Sequence, residues 1–125
     1  MTKFFYLLTS LFAAVLLLAS QQASAQKVGP NGGMLGGKDS HETELVVSPT
    51  ELTVFLIESG KVQTIKGVTL RAVIQSGSTN STAVFSVDGN KLVAKLAAPL
   101  AARAIVVIAG KDEHGHAVTA RYVVN

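Results

Sequence analysis

Cysteine and tryptophan are absent from this chain, and proline occurs only three times. Without cysteine no disulfide can staple the fold, even in an oxidising compartment, so packing must supply its stability. The same absence removes thiolate metal ligands and a cysteine nucleophile. Charge is sparse and scattered: the slight excess of basic side chains, 11 Lys and Arg against 8 Asp and Glu, forms no run. Nucleic-acid binding calls for a basic stripe with stacking aromatics, and that class is set aside. Aromatics are few, and Phe4, Phe5, Tyr6 and Phe12 crowd the first twelve positions, leaving Phe55, Phe85 and Tyr122 for the rest.

A membrane-spanning run of about twenty apolar residues is lacking too. The apolar stretch from Leu11 to Ala19 is shorter, follows Lys3, and leads to the small-residue sequence Ala23-Ser24-Ala25. This pattern predicts a secretory signal peptide over residues 1–25, cleaved before Gln26, with an uncleaved anchor as the alternative. The expected product is a periplasmic protein with no membrane span after cleavage, secretion being the alternative destination. The residues that remain are enough for one domain with a single core.

Residues 26–40 show no apolar period, and Gly29, Pro30, Gly32, Gly33, Gly36 and Gly37 predict a flexible, glycine-rich lead-in. From Glu42 the pattern turns to β. Glu44 to Val47 and Glu51 to Ile57 flank Ser48-Pro49-Thr50 as a hairpin. Its second strand is apolar on both faces and is expected at the centre of a sheet. Val68 to Gln75 alternates, and Ala83, Phe85 and Val87 are expected to point inward from one strand ahead of the hairpin signal Asp88-Gly89-Asn90. Leu92, Ala94 and Leu96 point inward from its partner. Ala97 to Ala102 reads as a crossing between sheets, Ala104 to Ala109 as an apolar strand and His116 to Val124 as the last. About seven short strands with turns every eight to twelve residues predict an all-β fold, an antiparallel two-sheet immunoglobulin-like sandwich over residues 41–125. A small open barrel is the alternative.

Gly32-Gly33-Met34-Leu35-Gly36-Gly37-Lys38-Asp39 approaches a phosphate-binding loop. It puts Asp39 where a hydroxyl must ligate magnesium, with no strand before it and no helix after it. Asp112-Glu113-His114-Gly115-His116 is the densest group of ligand-type side chains. In an extended chain residues i and i+2 share a face, so His114 and His116 are candidates for one ion, with Asp112 or Glu113 nearby. Gly115 permits a turn that would splay the rings, and a solvated hairpin tip is the alternative. His41, opening the first strand, is the third candidate. Imidazoles without thiolates suit Cu(II), Zn(II) or Ni(II). No nucleophile elbow or HExxH motif is present, and adjacent Asp112 and Glu113 point to opposite faces of a strand, so a non-enzymatic protein is expected.

Gly29-Pro30-Asn31-Gly32-Gly33-Met34, followed by His41-Glu42-Thr43-Glu44-Leu45-Val46-Val47 and Leu52-Thr53-Val54-Phe55-Leu56, resembles small periplasmic proteins that are similar to the N-terminal domains of heavy-metal efflux pump periplasmic adaptor subunits. The resemblance implies a β-sandwich in the envelope, a role in handling a transition metal, and an efflux component as partner. His41 carries over from the pattern. Asn31 stands where its first histidine would be, and Asn is a poor transition-metal ligand. A metal-independent structural or protein-interaction module is the competing expectation.

Overall fold

The computed structural model of the chain describes residues 27–38 and 41–125. The signal peptide expected over residues 1–25 lies outside the described residues. Within them the chain forms β1 (Met34–Lys38), β2 (His41–Val47), β3 (Glu51–Glu58), β4 (Lys61–Val62), β5 (Thr69–Ser76), β6 (Thr79–Val84), β7 (Ser86–Asp88), β8 (Lys91–Lys95), β9 (Ile105–Lys111) and β10 (Ala117–Val123). One sheet has the order β1-β2-β3-β8-β7, with β4 also paired to β3, and the second has the order β10-β9-β5-β6. All pairings are antiparallel. The orders β2-β3-β8-β7 and β10-β9-β5-β6 are the A-B-E-D and G-F-C-C′ sheets of an immunoglobulin-like sandwich. The all-β two-sheet expectation is met, with β1 and β4 added to the first sheet.

Alternation builds the core. Leu70, Ala72 and Ile74 of β5, Val106 and Ile108 of β9, and Val118, Ala120 and Tyr122 of β10 face Leu45, Leu52, Val54, Leu92 and Ala94 of the other sheet, all buried. β3 lies between β2 and β8, and Thr53 and Ile57 on its second face are buried as well. The doubly apolar pattern of this strand has that cause.

Two expectations need correction. Met34–Lys38, read as part of a flexible lead-in, is strand β1, in register with β2 from Met34↔Leu45 to Lys38↔His41. Its glycines are required by close approach rather than by looseness: a Cβ on Gly36 would lie 2.9 Å from the Tyr122 ring. The stretch holding Ala83, Phe85 and Val87 is not one strand. It leaves the second sheet after Val84 and enters the first at Ser86, pivoting at Phe85, which is buried and donates its N–H to the Leu70 carbonyl (3.1 Å). Beyond the pivot the alternation restarts on a sheet edge, so Val87 is exposed.

Residues 27–33 fold over the outer face of β2, where Glu44 is fully buried. Its carboxylate accepts hydrogen bonds from the Asn31 N–H (2.9 Å), the Asn31 Nδ2 (3.0 Å) and the Gly33 N–H (2.7 Å). On the opposite face of β2 the Tyr122 hydroxyl donates to the Thr43 carbonyl (2.8 Å) and pairs with the Thr43 hydroxyl. These contacts tie β10 of one sheet to β2 of the other and fix the end of the sandwich at which β2 begins.

Candidate metal centre

The hairpin joining β9 to β10 is shaped by one side chain. Asp112 N–H donates to the His116 carbonyl (2.9 Å) and Gly115 N–H to the Asp112 carbonyl (3.1 Å), while Gly115 takes φ 78°. This is a type I turn closed by a left-handed glycine. Asp112 Oδ1 accepts the N–H groups of His114 (2.9 Å) and His116 (2.8 Å), the short-range bonding for which Asp is favoured in turns. Oδ1 is thereby committed to the backbone. Oδ2 is directed to the imidazoles.

Oδ2 lies 3.1 Å from His41 Nε2 and 3.4 Å from His116 Nδ1. The ligand atoms of His41, Asp112 and His116 all fall within 4.8 Å of one another. Donors bound to one tetrahedral ion at about 2.0–2.1 Å sit roughly 3.3 Å apart, so both carboxylate contacts already have the spacing of ligands on one centre. The His41 and His116 rings meet edge to face with centroids 5.7 Å apart. Asp112 is largely covered, its side chain 15% exposed. Burial pushes its carboxyl upward, but the N–H groups of His116 and His114 and the His41 ring outweigh this and hold it below the usual carboxylate range.

The group sits in a cleft of about 310 Å³. The cleft is lined by all three histidines, Asp112 and Glu113, and on its other sides by Leu56, Val68 and Val118, by Gln63, Thr64 and Lys66, and by Ile57 and Glu58. The three candidate residues expected from sequence therefore share one site, but in a different combination. His41 and His116, 75 positions apart in number, converge on Asp112. His114 stands beside them, its ring centroid 6.0 Å from that of His116 and its Nε2 3.4 Å from Glu113 Oε1, outside the compact set. The turn that Gly115 allows is what separates the two neighbouring histidines. Asp112 was legible only as a nearby carboxylate; an Asp four residues before a His, with a Gly between, is the signal for its dual role.

Asn31 serves Glu44. Glu44 and His41 are three apart on β2 and so point to opposite faces of the strand. A histidine at position 31 would therefore not join His41 in this cleft. No family model matches the chain, and no curated protein or solved structure matches it significantly.

Proposed function

We propose that this protein is an exported, non-enzymatic accessory of transition-metal handling in the cell envelope, binding one divalent ion, Cu(II), Zn(II) or Ni(II), through His41 Nε2, His116 Nδ1 and Asp112 Oδ2. The observation that carries it is the meeting of two imidazoles and a carboxylate from distant parts of the chain, their ligand atoms within 4.8 Å of one another, in one cleft. Two imidazoles and a hard oxygen suit these borderline ions. The turn bonds to Asp112 Oδ1 orient the carboxylate as outer contacts orient ligands in metal sites. Uptake of the ion would replace the direct contact between His41 Nε2 and Asp112 Oδ2, and protons would compete with the ion for its ligands.

Calorimetric titration of the chain, purified without a histidine tag, tests this. One-to-one binding at micromolar affinity or better is expected. It should be lost in His41→Ala and His116→Ala, retained in weakened form in His114→Ala, and diminished by acid, because protons compete with the ion for its ligands. Unsaturable binding, or binding indifferent to His41→Ala, would refute it.

Docking on an envelope partner without any metal is the second role with support. It rests on β6, an uncharged edge strand of the second sheet, and on Val84 at its end, 78% exposed. Partner capture that persists in a chelator and is abolished by Val84→Lys would favour this role.

A further inference from the structure

We infer, resting on the metal-independent docking role above, that the β6 edge takes an extended segment of a partner protein as an added strand, one in which apolar residues alternate with carboxylates. The sandwich is closed on one side and open on the other. Where β1 and β10 end the two sheets, Gly36 lies against the Tyr122 ring. Lys27 and Val28 run along the outer edge of β1, with Val28 bridged to Met34 and the Leu35 N–H donating to the Lys27 carbonyl (2.9 Å). On the opposite side β7 ends the first sheet and β6 the second. β7 has three residues and carries Asp88, the short, charged form that blunts an edge. β6 has six residues, none of them charged, and no strand among the described residues pairs with its outer edge.

Val87 marks what the open side lacks. It stands opposite Leu92 in the register of β7 and β8, so both side chains point to the core face of the first sheet. Leu92 is 1% exposed, yet Val87 is 56% exposed, because the second sheet stops at β6. A further strand on β6 would continue that sheet by about 4.8 Å and lay its inward side chains over Val87. Apolar residues at alternate positions meet this need. The other alternate positions face outward, and there charge decides. The outer face of the second sheet presents Arg71, Lys111 and Arg121, and no Asp or Glu among the described residues faces outward from its four strands. Arg71 stands opposite the exposed Val84, one strand from the edge. Two strand spacings, about 9.6 Å, separate it from the added strand, a span that an extended Arg and a Glu bridge together. A second copy of the chain fits poorly: its β6 would turn Thr79, Ser81 and Ala83 toward Val87 and bring another basic face beside the first.

The test titrates the full chain, isotope-labelled for nuclear magnetic resonance, with a synthetic peptide of alternating glutamate and valine and with its lysine–valine counterpart. The glutamate–valine peptide should give saturable shifts of the β6 amides and of Val87, slow amide exchange along β6, and bind more weakly as salt is raised. The lysine–valine peptide should give none of these. Arg71→Glu should weaken binding roughly three- to tenfold and Val87→Ser roughly two- to fivefold, with little change in the unfolding midpoint because both side chains are exposed. Equal binding of the two peptides overturns the inference while leaving docking at β6 in place. A response confined to other strands, or none to either peptide, also overturns it. So does self-association through the β6 amides, which would give the edge to a second copy. Partner capture unaffected by Val84→Lys instead overturns the docking role beneath it.

Discussion

Tyr122 shows how one side chain can join two sheets and register the cost in its acidity. Burial, opposed by the Thr43 hydroxyl and reinforced by the charge of Glu44, pushes its phenol up to about 12. A group whose folded value is raised contributes stability that is complete below the unfolded value, near 10, and is lost as pH climbs through the folded one. Alkaline denaturation should therefore set in between about pH 10 and about pH 12. The tyrosinate absorbance of Tyr122 in the folded protein should rise well above pH 10. Tyr122→Phe should lower stability by about 1–2 kcal/mol in urea, since the hydroxyl bonds to Thr43 vanish, and should abolish that alkaline dependence. Glu44 is the corresponding anchor on the outer face of β2. Glu44→Ala strands the N–H groups of Asn31 and Gly33 and should cost about 2–3 kcal/mol, with faster amide exchange confined first to residues 29–33.

Among the elements, β9 and β5 meet where no side chain fits. A Cβ on Gly110 would lie 1.8 Å from the Thr69 carbonyl oxygen, a backbone atom that cannot yield without breaking the ladder. Gly110→Ala should therefore destabilise by about 2–3 kcal/mol, visible as a lowered denaturation midpoint at unchanged slope. That glycine looks like a turn residue in sequence, yet it belongs to β9 opposite Leu70. β1 was hidden for a related reason. Its Gly36 and Gly37 carry no apolar signal, and their small size matters only because Tyr122 and Thr119 of β10 pass beside them. The pivot at Phe85 was hidden by continuity, since Ala83, Phe85 and Val87 keep perfect alternation across a change of sheet. Hairpins such as β2–β3 and β7–β8 were legible because both partners and the turn lie within one short window.

For the whole molecule, the proposed ion binding would be linked to folding. An ion that binds the folded chain alone, at a hundred times its dissociation constant, adds about 2.7 kcal/mol to stability. Thermal unfolding with and without Zn(II) should show this gain in the unaltered chain and lose it in His41→Ala. The cleft joins the start of β2 to the β9–β10 hairpin, so an ion bound as proposed would clamp the two sheets at one end, as Tyr122 and Thr43 clamp them further along.

By itself the sequence determined the all-β class, the two-sheet packing and the short list of imidazoles, because alternation and turn chemistry act over a few neighbouring residues. The export signal expected over residues 1–25 is a reading of sequence pattern alone. The tertiary structure decided which histidines meet. His41 opens β2 of one sheet and His116 lies in the hairpin that leads into β10 of the other, and alternation assigns a side chain to a face without saying which strand lies across from it. The turn at Gly115 turned His114 aside, and the antiparallel return of β10 past β2 brought His116 and Asp112 to His41.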